Sequence, residues 1–208
     1  MERDHYTFSE LAELIKNLQH KYRQTIIAID GLGGVGKNTF ARGLHGALPH
    51  SAIIHTKDFR KIEKERTLDS KSIVSPNVDW DQFDEEIFTA LRFNRDVVYY
   101  KYNSMKDAVV ENAHVASDAV IIVEGEYTLQ HRFNSQYDFR IWIDMPDSVR
   151  LTRILESSGE SDWKKWQDEE RIIENNYLEH EKQNLRADLV VNGKNSDFMN
   201  GIYTLLTL

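Results

Sequence analysis

The stretch TIIAIDGLGGVGKNT, residues 25–39, decides how the chain is read. Its first six residues, Thr25 to Asp30, form a short apolar run rich in β-branched side chains, the pattern of a parallel strand covered on both faces. The remainder fits G-x-x-x-x-G-K at Gly31, Gly36 and Lys37, between that strand and a helix predicted to begin near Asn38. Glycines let successive backbone N–H groups turn toward an anion. The following helix directs its positive end at the same place, and Lys37 adds a mobile charge for β- and γ-phosphates. Gly-rich turns also close ordinary βα units, but here strand, loop, lysine and helix coincide. Contacts to nucleotide phosphates are therefore expected from Gly31, Gly33, Gly34, Val35, Gly36, Lys37, Asn38 and Thr39.

One residue departs from the motif. The position after the lysine normally carries a Ser or Thr hydroxyl that ligates Mg²⁺, and here it is Asn38. An amide oxygen can ligate a hard cation but is longer than a hydroxyl. Thr39 offers a hydroxyl about 100° away around the helix, so it is no simple replacement.

Outward from the loop, apolar runs recur at Ala52 to His55, Val97 to Tyr100, Val120 to Val123, Phe139 to Ile143 and Leu189 to Val191. Polar or helix-period segments lie between them, the alternation that predicts an α/β fold with a parallel sheet between helices. Asp81 to Leu91, Pro146 to Glu156 and Asp162 to Glu181 read as helices, the last charged and solvent-facing on most sides. Ahead of the loop, Leu11, Leu14, Ile15 and Leu18 have helical spacing, and Thr7 with Glu10 has capping-box spacing. Residues 1–24 thus read as a leading amphipathic helix packed on the domain edge.

The chain has 208 residues with 40% hydrophobic content, enough for one substantial core, and a single domain over 1–208 is expected. A net charge of -8 argues against a nucleic-acid surface held by bulk attraction. No apolar run approaches the roughly 20 residues of a membrane span, and MERDHYTF has no hydrophobic signal core. Zero cysteines excludes disulfides and thiolate metal sites and fits a reducing cytoplasm. The histidines form no H-x-x-x-H pair, so no metal is expected beyond Mg²⁺ carried by nucleotide.

From about Thr25 to Gly193 the chain resembles the uridine kinase family of P-loop kinases, which takes in phosphoribulokinase, pantothenate kinase and nicotinamide riboside kinase relatives. The resemblance rests on IIAIDGLGGVGKNTFA, IIHTKDF, VDWDQFDEEIF, VYYKYN, VIIVEGEYTL, YDFRIWIDMPDSVRLTRIL and ADLVVNG in that order. It implies a three-layer α/β/α P-loop NTPase fold, with a mostly parallel sheet of about five strands and a helical lid within about residues 150–180. It also implies ATP and Mg²⁺ as cofactors and transfer of the γ-phosphate to a hydroxyl of a small molecule, a nucleoside or related metabolite. A second copy of the chain is left open as a partner.

The family's acidic motif after its second strand falls on Lys57, Asp58, Phe59 and Arg60. Its first acid, which takes the proton from the acceptor hydroxyl, is replaced by Lys57. Asp58 could serve as base only through a local bulge, since neighbours on a strand point to opposite faces, and it reads equally as a solvated strand-end acid. The resemblance implies substrate contacts from Lys57, Phe59 and Tyr102, with Asn103 where Asp is common, although Tyr99 and Tyr100 also fit core aromatics. Glu124-Gly125 matches the family's Glu-Gly pair, and Glu124 would hold Mg²⁺ or a ligating water.

In the implied lid, Arg150 and Arg153 match arginines that reach over the transferred phosphate. The next signature, an Arg-Asp pair, falls on Ser157-Ser158, with Lys164, Lys165 and Arg171 as candidate replacements. Asn192 and Gly193 match the loop bordering adenine. Metal, base and lid positions are thus altered together. This keeps open a second function: a pseudokinase that uses bound nucleotide for a regulatory or structural role.

Overall fold

The computed structural model describes residues 5–18, 24–67, 69 and 71–206, with residues 111, 158–162 and 165 described by backbone alone. Nine strands and six helices are described, in the order β1 (Tyr6–Thr7), α1 (Phe8–Leu18), β2 (Ile26–Asp30), α2 (Lys37–Ala47), β3 (Ser51–His55), α3 (Trp80–Phe83), α4 (Ala90–Arg92), β4 (Val97–Asn103), β5 (Ala108–Val115), β6 (Val120–Glu124), β7 (Phe139–Asp144), α5 (Asp147–Asp168), α6 (Glu170–Glu181), β8 (Leu189–Asn192) and β9 (Ile202–Tyr203). The sheet order β3-β6-β2-β7-β8 is parallel throughout, which is the expected five-stranded arrangement. Every residue of IIAID in β2 and VIIVE in β6 is buried, as strands covered on both faces require.

Val97–Tyr100 is a correction. Instead of joining the parallel sheet, it begins β4, which pairs antiparallel with β5 in a separate hairpin. Val97 and Tyr99 are buried while Val98 and Tyr100 are exposed, the period of a ribbon covered on one face. Strand β5 escaped the sequence reading because Asn112 and His114 break its apolar run.

The capping box forms as expected: Thr7 N–H donates to Glu10 Oε2 at 2.9 Å and Glu10 N–H to Thr7 Oγ1 at 3.4 Å. The buried face of α1 is Phe8, Leu11, Ala12 and Ile15, whereas Leu14 is 46% exposed. Phe8 meets Phe40 of α2 edge-on, with ring centroids 4.9 Å apart. The helix predicted over 81–91 spans α3 and α4 through a π-helical segment, Asp84–Thr89, and Asp79 caps it by accepting from Gln82 N–H at 2.9 Å.

The two helices predicted at 146–156 and 162–181 divide differently. α5 runs unbroken across 157–161, and the chain bends at Glu169 before α6. α6 faces solvent on most sides, and its one buried face carries Ile173, Glu174 and Tyr177. Among the described residues no helix is long and apolar enough to cross a membrane.

Candidate functional site

Strand β2 delivers the chain into a loop wrapped around its own backbone. Gly31 N–H donates to Asp30 Oδ1 at 2.6 Å, and Gly34 and Gly36 take φ of 79° and 95°, the left-handed region that favours glycine. A Cβ at Gly34 would come 2.6 Å from the Arg150 carbonyl oxygen, so the lid helix α5 rests directly on the loop. Gly36 is the N-cap of α2 and brings no side chain to its first N–H groups, which leaves the positive helix end for an anion. Buried Lys37 donates from Nζ to Leu32 O at 2.9 Å, and the same Nζ lies 3.4 Å from Glu126 Oε1. Asn38 Oδ1 is buried without a hydrogen-bond partner.

Two strand ends place acids beside this loop. Asp30, at the end of β2, accepts from Leu129 N–H at 2.8 Å and from the Tyr177 hydroxyl at 2.6 Å; burial pushes its pKa up to about 6. Glu124 ends β6 opposite His55 of β3, and its Oε2 lies 2.5 Å from His55 Nδ1. Gly125 follows with φ 152°, and a Cβ there would stand 1.8 Å from Thr56 Oγ1, so this turn admits only glycine.

The lid contributes an ion pair above the loop. Arg150, 1% exposed, donates from Nε to Asp147 Oδ1 at 2.8 Å and from Nη1 to Gly33 O at 3.4 Å. Glu174 of α6 accepts from Gly33 N–H through Oε1 at 2.8 Å. Its Oε2 lies 2.8 Å from Arg150 Nη1 but off the hydrogen-bonding direction, so that contact is Coulombic. Burial first, then the neighbouring Glu126, raises the Glu174 pKa to about 7.

A cavity of about 740 Å³ opens beside the loop. Lys37, Glu124 and Glu126 line one wall, and Lys57, Arg60 and Arg66 line another. Of the residues expected at the site, the structure therefore brings Lys37, Lys57 and Glu124 together. Asp58 does not line the cavity: its Oδ2 accepts from the Tyr99 hydroxyl at 3.1 Å, and burial raises its pKa from the ordinary aspartate value. Phe59 stacks on Tyr99 and meets Phe83 edge-on, inside the core. The Tyr102 hydroxyl sits between Arg66 and Asp107, outside the cavity lining.

Arg153 lies on the exposed face of α5, away from the cavity lining. Ser157 donates to Ile154 O, whereas the side chains of Ser158 and Lys165 lie outside the described residues. Arg171 approaches Asp147 at 4.0 Å. Asn192 ends β8 and Gly193 follows it, its N–H donating to Asp144 O at 2.8 Å, and the ring of Phe198 just beyond covers Gly36.

Sequence reasoning missed Glu126, Arg66 and Glu174. Glu126 was within reach, since it follows Glu124 by two residues in EGEY. Glu174 had a weaker sign: Ile173 and Tyr177, four residues apart, mark a buried face around it.

Strand order, glycine loop and lid now decide the fold. It is that of the P-loop kinases. Two solved P-loop kinase structures share it: a possible uridine kinase from Bacillus stearothermophilus, with TM-score 0.68 and 19% identity over 88% of this chain and 96% of that one, and a proposed fructose transport system kinase from Silicibacter sp. TM1040, with TM-score 0.68 and 20% identity over 82% and 95%. A curated P-loop kinase, the cytidylate kinase of Natronomonas pharaonis, is 30% identical over 136 residues, which is 65% of this chain. The match spans 60% of that relative's length. No family model matches the chain.

Proposed function

We propose that the chain is an ATP-dependent small-molecule kinase that phosphorylates a hydroxyl group. The observation that carries this reading is that Lys37 and Glu126 stand 3.4 Å apart on the wall of a 740 Å³ cavity, with the glycine loop beside them. The kinases among the relatives support phosphoryl transfer to a small molecule, and the hydroxyl acceptor rests on the cavity.

The residues present fit nucleotide and cation. The glycine loop leaves the α2 N–H groups without a side-chain cap, and Asn38 Oδ1 is a buried acceptor without a donor among the described residues, which suits a cation or its water. Asn38 and Glu124 would hold Mg²⁺. Bound ATP with Mg²⁺ supplies the phosphoryl group and spreads its charge. Lys37 and Arg150 neutralise negative charge at the loop. Glu126, rather than the turned-away Asp58, takes the proton as the acceptor oxygen bonds to phosphorus and the bond to ADP breaks. The lack of cysteine suits a reducing cytoplasm.

The test is ADP release from Mg-ATP against a panel of nucleosides, sugar phosphates and pantothenate-like alcohols. Acceptor-dependent release supports the kinase. Failure of ATP to shift the melting temperature removes the nucleotide site itself. A pseudokinase is the second reading, favoured by Glu174 sitting against the Gly33 amide; tight ATP binding without release on any acceptor would select it.

A further inference from the structure

The cavity beside the glycine loop is electrically divided. The wall built by residues 56–78 carries Lys57, Arg60 and Arg66 against a single acid, Glu63, in a chain whose net charge is -8. The rest of the lining carries Glu124, Glu126, Glu169 and Glu170 against Lys37. Lys57 and Arg60 have no ion-pair partner among the described residues. Arg66 is held in position: Nε donates to Lys61 O at 2.9 Å, Nη2 faces Tyr102 and Asp107, and the guanidinium lies over the Tyr102 ring at 5.3 Å. Its Nη1 has no hydrogen-bond partner among the described residues. Asp107 answers part of the Arg66 charge, while Lys57, Arg60 and the Nη1 edge of Arg66 leave positive charge on the cavity lining that an anion would complement.

We propose that the acceptor is an alcohol that already carries a phosphomonoester, and that Lys57, Arg60 and Arg66 hold that phosphate while the free hydroxyl points toward Glu126. The assignment rests on the kinase reading above and deepens it. With Glu63 beside them and Asp107 on Arg66, the three cations still leave a positive surplus, which suits a phosphomonoester of charge close to -2. Arginine forks engage its oxygens bidentately, and Lys57 adds a point charge. Thr67 and Ser75 on the same wall supply hydroxyls for the rest of the molecule. The replacement of an acid by Lys57 is then a change of substrate, a cation placed where a neutral acceptor would need none.

The experiment compares glycerol, ribose and uridine with glycerol 3-phosphate, ribose 5-phosphate and uridine 5′-monophosphate. Each is tested for ADP release and, by calorimetry with the ATP analogue AMP-PNP and Mg²⁺ already bound, for direct binding. The protein is compared with the Lys57→Ala/Arg60→Ala variant, whose altered side chains are both exposed and whose folding is checked by melting temperature. At least one phosphomonoester should bind and turn over with kcat/KM more than tenfold above its parent alcohol. The double variant should raise its dissociation constant at least tenfold while ATP affinity stays within twofold, and added salt should weaken the wild-type binding alone. A parent alcohol used as well as its phosphate, phosphomonoester binding unchanged in the variant, or no phosphomonoester binding at all overturns the assignment. If ATP itself does not bind, it is the kinase reading that fails.

Discussion

Glu174 accepts a hydrogen bond from the Gly33 amide at 2.8 Å, so a carboxylate already rests against the loop that phosphates are expected to occupy. Arg150 stands beside it at 2.8 Å. Nucleotide phosphate and ionised Glu174 compete for the same donors and the same guanidinium. We expect Glu174→Gln to tighten ATP binding by about tenfold, roughly the worth of one charge-assisted contact. Because the Glu174 pKa is raised to about 7, the carboxyl is mostly neutral below that pH, and the unmodified protein should bind ATP more tightly at pH 6 than at pH 8. Calorimetry across that range checks both points: a slope equal in protein and variant would sink the competition.

Stability should also fall as pH rises. Burial raises Asp30 from 3.8 to about 6 and Glu174 from 4.5 to about 7, so the folded chain binds both protons more tightly than the unfolded chain. Their stabilisation is fully present below about pH 4 and is lost through pH 6 and 7. For Asp30 the shift of about two units corresponds to ~3 kcal/mol. Thermal melts from pH 4 to 8 should show the decline, and Asp30→Asn should flatten its lower part while weakening the fold at every pH, because its amide cannot accept from Leu129, Gly31 and Tyr177 alike.

Glu126→Gln separates binding from chemistry. It keeps the size of the side chain but cannot take a proton, so turnover should drop by about 10²- to 10⁴-fold with ATP affinity little changed. Asp58→Asn, altering an acid bonded to Tyr99 behind the cavity wall, should lower turnover far less. Rate constants for the pair decide which acid serves as base; equal losses would return the role to Asp58.

Asn38→Ser removes a buried, unpartnered oxygen and restores a hydroxyl beside Lys37. Relief of the orphan should stabilise the chain by about 1 kcal/mol, and the extra melting shift that Mg²⁺ adds to ATP should grow. Melting curves with ATP, with and without Mg²⁺, measure both. No change in the Mg²⁺ increment would mean that this position does not touch the metal.

The central sheet was legible because its strands are buried on both faces and appear as unbroken apolar runs, IIAID and VIIVE among them. The loop was legible because its glycines answer a backbone demand that sequence spacing records directly. The hairpin was misread: Val97 to Tyr100 looks the same in a one-sided ribbon as in a buried strand, and Tyr99 differs from Tyr100 only in which face it lands on. Position 58 shows a different limit. Adjacent residues at a strand end diverge, and the turn after His55 sends Lys57 to the cavity and Asp58 to Tyr99, a choice made by tertiary packing. Glu174 was hidden because nothing local distinguishes a carboxylate on a charged helix from one that crosses to a loop 141 residues away.

Tyr177 and Glu174 occupy one face of α6, less than one helical turn apart, and grip the end of β2 and the glycine loop respectively. The phenol's grip on Asp30 involves no atom that a phosphate would claim. We therefore expect arriving nucleotide to unfasten α6 at Glu174 only, while Tyr177 on Asp30, Asn176 on Ser72 O and Glu181 on the His131 amide keep the helix attached and limit the lid's travel.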